Sequence, residues 1–215
     1  MPPGANIDES LIAAISAYKA KRYADAEAQV DALLARTPRH APALQLKALL
    51  AQLRRDPATA YAAAAVSLAI RPGHAATLGI ARDIAISLVA AAGRAGAEGA
   101  TAEAVRNLRR ALELDPAHAR VWFSLGLALQ DAGDYPVAAE AFAHVLALTP
   151  QDATAMVNRG VSLQQAGDLD AAWNCYCSAY RTDPSTFAAI SQALPAGSVG
   201  ILVLDLEALR ERLGA

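Results

Sequence analysis

The segment Trp122–Pro150 reads WFSLGLALQDAGDYPVAAEAFAHVLALTP, and its internal spacing predicts a helical hairpin. Apolar residues recur at helical intervals on both sides of the polar stretch AGDY at 132–135. In that stretch, a glycine that ends one helix precedes an aspartate that can cap the next helix. Pro150 stops the second helix, because proline has no N–H to donate and restricts the residue before it.

Five prolines indicate that this hairpin recurs along the chain. The interval is 34 residues from Pro38 to Pro72, from Pro116 to Pro150, and from Pro150 to Pro184. Only the interval from Pro72 to Pro116 is longer, at 44 residues. Each proline follows an apolar run of helical character. A fixed period of this length predicts a stack of repeats, each burying its apolar face on its neighbours.

Within this period, large and small side chains return at fixed positions. The best unit carries Trp122, Leu125, Gly126, Leu129, Ala138, Phe142 and Pro150. The next carries Met156, Arg159, Gly160, Leu163, Ala172, Tyr176 and Pro184. The pattern resembles the tetratricopeptide repeat, W-x2-L-G-x2-Y followed by A-x3-F and P. The resemblance covers Ile7 to Thr186 and implies an all-α, right-handed superhelical solenoid of about five hairpins, each made of a helix A and a helix B.

The period divides the chain into segments. The predicted repeats are residues 7–40, 41–74, 75–118, 119–152 and 153–186, with a disordered N-terminus at 1–6 and a capping segment at 187–215. Ten extra residues in the third repeat lie around VAAAGRAGAEGAT at 89–101. We expect a helix to about Ala92, a glycine-rich loop, and a new helix from about Thr101. A phosphate-binding loop would need a preceding strand and a different glycine spacing.

The C-terminal segment carries a strongly apolar set that must be covered. Its members are Ile201, Leu202, Leu204, Leu206, Leu209 and Leu213. They can cap the last repeat, lie in the groove of the array, or enter a second chain to form a homodimer through residues 201–213. Capping is favoured, because the terminal repeats of a solenoid need a solvating cover.

Composition and charge exclude several classes of partner. The net charge is −2 and the isoelectric point is about 6.1, so there is no basic footprint for nucleic acid or an anionic membrane. No apolar run looks long enough to span a bilayer. The first ten residues lack the basic and apolar regions of a secretory signal, which predicts a cytoplasmic protein.

The sequence offers no catalytic or metal-binding motif. Cys175 and Cys177 are two residues apart on a predicted helix, so their side chains point in different directions. His40, His74 and His118 fall in loops between repeats, about 10 Å apart, beyond the reach of a shared metal. We therefore expect a protein that is not an enzyme and holds no metal or cofactor.

The resemblance implies that helix-A residues line a concave groove for a protein or peptide partner. By repeat position, the groove residues are Leu11, Ile12, Ile15, Leu46, Leu49, Gln52, Ile80, Asp83, Ser124, Leu127, Gln130, Asn158, Val161 and Gln164. The groove is apolar toward the N-terminus and rich in amides toward the C-terminus, which suits an apolar or amphipathic segment. Some of these leucines and isoleucines could equally be helix–helix core, and the sequence leaves both interpretations open.

Two features refine this groove. The basic carboxylate clamp of chaperone-binding arrays is missing, and Asn158 alone matches the asparagine ladder of glycosyltransferase-type arrays. Lys47 and Arg159 stand where the repeat pattern has leucine, either extending their charge into water or binding an acidic partner.

The sequence predicts a non-catalytic scaffold or adaptor. One alternative is the substrate-recognition array of a sulfotransferase or a 2-oxoglutarate oxygenase, or a degenerate relative of one. The other is a structural protein that self-assembles through its C-terminal apolar segment.

Overall fold

The chain is all-α, as the sequence predicts. The computed structural model describes residues 7–195 and 206–214, and the predicted N-terminal segment 1–6 and residues 201–205 of the apolar set lie outside these ranges. The described ranges contain twelve α-helices and one 3-10 turn, and no strand. The helices are α1 Ile7–Lys19, α2 Tyr23–Arg36, α3 Ala41–Leu53, α4 Pro57–Ile70, α5 Ala75–Ala97, α6 Thr101–Leu114, α7 Ala119–Asp131, α8 Tyr135–Leu148, α9 Ala153–Gln165, α10 Leu169–Thr182, α11 Phe187–Ala193 and α12 Leu206–Gly214; the 3-10 turn is Pro184–Thr186.

The chain divides into two compact units. The first unit is Met1–Ala91 with Arg110–Pro116, and the second unit is Ala92–Arg109 with Ala117–Ala215. In the first unit, α1 packs on α2 and α3 packs on α4. In the second unit, α7 packs on α8 and α9 packs on α10. Each pair is consecutive in the chain and joined by a short turn, so each is a helix-A and helix-B hairpin.

The hairpin turns share one backbone device. At the same repeat position, Lys21, Arg55, Gly99, Gly133 and Gly167 have positive φ, between 57° and 91°. The N–H of the following residue donates to a carbonyl five residues earlier, as from Asp134 to Leu129. This is a Schellman end, in which a left-handed residue ends the helix and satisfies its last carbonyls. Glycine adopts this conformation freely, whereas Lys21 and Arg55 adopt it at a cost of about 1 kcal/mol each.

The ten extra residues of the third repeat lengthen a helix, as predicted, but the helix continues past Ala92 through most of the expected glycine-rich loop. Helix α5 runs for 23 residues to Ala97, whereas α3 and α7 have 13 each. Gly93 and Gly96 lie inside α5, and the turn is confined to residues 98–100. Helix α6 begins at Thr101, as predicted. A glycine costs a helix about 1 kcal/mol relative to alanine, which the surrounding apolar residues outweigh here.

The length of α5 also bears on the question of whether this apolar helix could span a membrane. Among the described helices, Ala75–Ala97 alone is long and apolar enough to cross a membrane, judged by length and composition only. This contradicts our expectation that no apolar run reaches that length. A third of its apolar window is buried inside the protein. A core helix of a soluble protein meets the same criterion, so the feature is weak evidence for a span.

Within a hairpin, the small residues allow helix A to cross close to helix B. A Cβ on Gly126 would lie 2.6 Å from Cζ of Phe142, and one on Gly160 would lie 2.5 Å from Cε1 of Tyr176. Both rings are fully buried. The predicted role of the small repeat positions is thus visible as an aromatic ring of helix B lying directly on a glycine of helix A.

Helix α12 covers the end of the second unit. Leu209 and Leu213 are buried in a cluster with Tyr176 and Ile190. Arg212 lies over the Trp173 ring at 5.0 Å, and Arg210 lies over the Phe187 ring at 4.3 Å. The described part of the C-terminal segment therefore caps the last hairpin with two leucines inward and its arginines on aromatic faces.

Candidate functional site

In the first unit, the predicted groove residues differ widely in exposure. Leu46 is only 5% exposed and belongs to a core cluster with Ala14 and Val30. Ile12, at the same repeat position in α1, is 62% exposed. Asp83 is exposed, and the remaining residues are partly buried: Leu11, Ile15, Leu49, Gln52 and Ile80. Leu46 is therefore helix–helix core, and the other residues can reach a partner.

In the second unit, the glutamines join one helix A to the next. Gln130 Nε2 donates to the Asn158 carbonyl at 3.1 Å and to Ser162 Oγ at 2.8 Å, which links α7 to α9. Gln164 is 1% exposed, and its Nε2 donates to the carbonyls of Ala193 and Leu194 at the end of α11. The amides that the sequence assigned to a ligand thus bond to the protein itself, and Gln164 is inaccessible.

Tyr176 completes the hydrogen bonding of the Gln164 side chain. Its hydroxyl donates to Gln164 Oε1 at 3.0 Å. Burial raises the pKa of Tyr176, so the phenol stays protonated and remains a donor at neutral pH. The Gln164 amide therefore has its donors and its acceptor paired in the interior, as a buried polar group requires.

An open cleft lies beside α9 on the helix-A side of the second unit. It has a volume of about 380 Å³ and runs between α9 and the 3-10 turn with α11. Its walls are Thr154, Val157, Asn158, Val161, Thr186, Ala189, Gln192 and Ala193. We call it the Asn158 cleft. Sequence reasoning found two of its residues but missed the α11 wall, although extending the 34-residue period by one more helix A points to residue 192.

The Asn158 cleft is apolar with amide and hydroxyl groups. Asn158 Nδ2 donates to the Thr154 carbonyl at 2.9 Å, which fixes the side chain and leaves its Oδ1 without a donor among the described residues. Leu127 on the neighbouring α7 has the repeat position of Val161 and is 40% exposed. This surface can take up an apolar side chain and accept a hydrogen bond from a peptide N–H.

The helix-B side of the second unit has its own cleft, of about 340 Å³, which includes Arg159 and Cys175. Burial raises the pKa of the Cys175 thiol, so the thiol is neutral at neutral pH. Cys177 is buried as well. Among the described residues, no group of three or more His, Cys, Asp or Glu side chains could hold a metal ion.

The loop histidines have local roles that the sequence did not suggest. His40 is the N-cap of α3, and its Nδ1 accepts from the Ala43 N–H at 3.3 Å. His74 Nδ1 lies 3.3 Å from Thr77 Oγ1. Outside the loops, His144 on α8 stacks on Trp122 with ring centroids 4.1 Å apart. The signal for His40 was its place just before an apolar run, where a side-chain acceptor caps a helix.

These features define an α-helical repeat protein whose helix-A faces carry exposed apolar and amide groups. Two family models match it: "Tetratricopeptide repeat" over residues 125–185 and "TPR repeat" over residues 97–133. The chain is a tetratricopeptide-repeat protein. Comparison with curated proteins gives no match.

Solved structures of similar fold align over most of the chain at low identity. TTC0263, a thermophilic TPR protein of Thermus thermophilus, is 20% identical, covers 88% of this chain and 99% of its own, and has a TM-score of 0.42. YrrB, a TPR protein with an unusual peptide-binding site, is 19% identical, covers 87% and 91%, and scores 0.44. The TPR2AB domain of yeast Sti1, in a complex with pHSP90, is 12% identical, covers 88% and 84%, and scores 0.48.

Proposed function

We propose that this protein is a non-catalytic scaffold that binds a protein or peptide on its helix-A faces. The observation that carries the proposal is the Asn158 cleft, next to the exposed Leu127 on the adjoining helix A. Buried apolar surface supplies most of the affinity of such a contact, and a few fixed polar groups set its direction. In the cytoplasm, which we propose as its location, Cys175 and Cys177 stay reduced.

The chemistry of the surface specifies the partner as a segment with an apolar side chain and free backbone amides. Val157 and Val161 line the cleft and would contact the apolar side chain, while the Asn158 Oδ1 would accept from a peptide N–H. In the first unit, the partly or fully exposed Ile12, Ile15 and Ile80 offer a second apolar contact of the same kind. Self-assembly through residues 201–213 has less support, because Leu209 and Leu213 are already buried within the chain.

The test is affinity capture with two matched variants of the second unit. Leu127→Asp places a carboxylate on the helix-A side, and Leu148→Asp places one on helix α8, where the leucine is 42% exposed. The two leucines are almost equally exposed, so both variants should fold, which circular dichroism checks. We expect a prey that the wild type and Leu148→Asp retain and Leu127→Asp loses. Leu46→Asp is unsuitable, because it would place a charge in the core.

The captured segment then allows a quantitative test. Asn158→Ala should weaken its binding, measured by calorimetry, by about tenfold, the loss of one hydrogen bond at a partly buried site. If all three baits retain the same prey, or if Asn158→Ala binds the segment as tightly as the wild type does, the helix-A side is not the binding face.

A further inference from the structure

The cleft on the helix-B side of the second unit is built around an arginine. It lies between α8, α9 and α10, and we call it the Arg159 cleft. Leu146, Met156 and Leu163 make its apolar wall, and the exposed Asn174 and Ser178 stand on α10. Arg159 occupies the position where the hairpin α7/α8 has the buried Leu125. A guanidinium therefore replaces the side chain that would pack against the helices.

Arg159 has no anionic partner in the described chain. Its Nε is buried without a hydrogen-bond acceptor. Ion pairs among the described residues include Arg22 with Asp25, Lys47 with Asp31, and Arg54 with Glu27, and none of these three involves Arg159. Arg159 as a whole is only partly buried, but a buried N–H donor without an acceptor is costly, and such a group calls for an explanation.

No residue that lines the cleft supplies a counter-charge for Arg159. Burial raises the pKa of the neighbouring Cys175 thiol, which is therefore uncharged. Asp168 is charged, but it does not line the cleft, and its carboxylate caps α10 by accepting from the Ala171 N–H at 3.1 Å. The cleft thus combines a positive charge with apolar walls and has no negative charge of its own.

In another repeat, the cation at the same position is neutralised by a carboxylate. Lys47 has the repeat position of Arg159, and its Nζ lies 2.7 Å from Asp31 Oδ1 on the preceding helix B. The residue that corresponds to Asp31, 112 positions later on α8, is Ala143. The hairpin that precedes Lys47 therefore provides a carboxylate for this cation, whereas the hairpin that precedes Arg159 provides a methyl group at the same position, beside an open cleft.

We propose that the Arg159 cleft recognises a carboxylate carried on an apolar stem. Such a group could be the acidic side chain of a polypeptide or the head of a short alkanoate, and the two sources share the same chemistry. The volume of about 340 Å³ is at the lower end for ligand sites, enough for one such stem but not for a folded element. The apolar wall takes the stem, and the guanidinium pairs with the carboxylate. This site is separate from the helix-A surface and does not depend on its function.

The first experiment is a titration followed by amide chemical shifts in a two-dimensional NMR spectrum at low ionic strength. The probes are hexanoate and its uncharged analogue hexanamide. We expect hexanoate to shift the amides of Met156, Asn174 and Ser178 and to bind about tenfold or more tightly than hexanamide, since a hydrogen bond to a charged group is lost in the amide. Arg159→Gln should reduce hexanoate binding to the hexanamide level.

A second pair of probes distinguishes the two sources. These are the blocked tripeptides Leu-Glu-Leu and Leu-Gln-Leu. Binding of the Glu peptide alone identifies a polypeptide side chain, binding of hexanoate alone identifies a small carboxylate, and binding of both confirms the shared chemistry. If neither binds, or if charged and neutral probes bind equally, the proposal is overturned.

Ala143→Asp tests the same proposal without removing the arginine. It recreates the Lys47–Asp31 arrangement, so the new carboxylate should pair with Arg159, raise the midpoint of thermal unfolding, and weaken hexanoate binding about tenfold or more. Leu148→Asp adds the same charge elsewhere on α8 and should leave binding unchanged. Hexanoate binding to Ala143→Asp with the affinity of the wild type would show that Arg159 is not the anchor.

Discussion

Two glycines of the second unit are fixed by the aromatic rings that lie on them. The rings of Phe142 and Tyr176 are fully buried, so neither can move aside for a methyl group at residue 126 or 160. Two other glycines of the same unit, Gly93 and Gly96, are also helical, but a Cβ there would meet nothing within 4 Å. The same residue type thus has opposite roles at two kinds of position.

We expect opposite signs when these glycines are replaced by alanine. Gly126→Ala and Gly160→Ala should each lower the free energy of unfolding by about 1–3 kcal/mol, because the methyl group overlaps a packed ring. Gly93→Ala should raise it by about 0.5–1 kcal/mol, because alanine favours the helix and fills open space. Urea denaturation measures all three. A stabilising effect at all three sites would show that the hairpins can spread without cost.

At residue scale, Gln164 also has a structural role that its type conceals. Gln164→Leu removes the donor that satisfies the carbonyls of Ala193 and Leu194, so we expect a loss of about 1–3 kcal/mol in the free energy of unfolding. Gln192→Leu, at an exposed glutamine of α11, should change it by less than about 0.5 kcal/mol. Equal effects in chemical denaturation would mean that the buried amide contributes nothing specific.

At the scale of elements, the N-terminus of α4 depends on one carboxylate. The Asp56 side chain accepts from the Thr59 N–H at 3.0 Å. A side-chain hydrogen bond from Thr59, together with backbone N–H groups, lowers the pKa of Asp56 below its usual value. A carboxyl group whose pKa is lower in the folded state stabilises the fold above its unfolded pKa, and this stabilisation disappears as the pH falls through the folded pKa.

Asp56→Ala should therefore destabilise the protein in a pH-dependent way. We expect a loss of about 0.5–2 kcal/mol at pH 7, the usual cost of removing an N-cap, and a smaller loss at about pH 3, because protonation of the wild-type carboxylate weakens its capping bond. Denaturation curves of both proteins between these pH values measure the difference. Asp56→Asn keeps a capping oxygen and should lose much less. A constant difference across this range would mean that the charged cap is unimportant.

The capping helix α12 depends on its two inward leucines. Leu213 is fully buried, whereas Leu206 on the same helix is 54% exposed. Leu213→Ala should cost about 2–5 kcal/mol of unfolding free energy, because it removes buried methyl groups and leaves a cavity, and Leu206→Ala should cost less than about 0.5 kcal/mol. Similar losses in thermal unfolding would show that α12 is not held in the arrangement described.

Most of the element pattern could be predicted from the sequence, because period and proline positions are local signals. The exceptions have physical reasons. The turns at Lys21 and Arg55 lack the glycine that usually marks a left-handed residue. Their Schellman ends are therefore recognised only from the backbone angles and hydrogen bonds of the structure. Helix α5 continues through Gly93 and Gly96, because Ala92 and Ala95 are buried and outweigh the glycine penalty.

The surface was less predictable than the hairpins. The repeat position predicts which residues lie on helix A, but it does not predict which of them are buried. Leu46 and Ile12, for example, share a repeat position, yet Leu46 is 5% exposed and Ile12 is 62% exposed. From the sequence, the amides of Gln130 and Gln164 are predicted to bind a ligand. The structure shows that they donate to acceptors on the next helix A instead. The binding residues therefore remain a proposal, restricted to those that the structure leaves accessible.

At the scale of the whole molecule, stability should be local. A repeat protein gains its stability from neighbouring repeats, so damage at one end spreads only as far as the contacts that depend on it. We expect Leu213→Ala to increase amide hydrogen exchange in α10 and α11 and to leave exchange in α1 and α2 unchanged. Hydrogen–deuterium exchange with mass spectrometry tests this. A uniform increase along the chain would show that the protein unfolds as one cooperative body.

The hydrogen bonds of Gln130 and Gln164 between successive A helices would allow the array to grow by duplication of a hairpin. Gln130 bonds to Asn158 and Ser162 of the following helix A, and Gln164 stands at the same position one hairpin later. A tandem copy of residues 153–186 would bring its own Asn158 and Ser162 to meet the first Gln164, while the second Gln164 would meet α11. The donor and its acceptors travel within one 34-residue module, so a gene could gain a hairpin in a single event without a new side chain being selected at either junction.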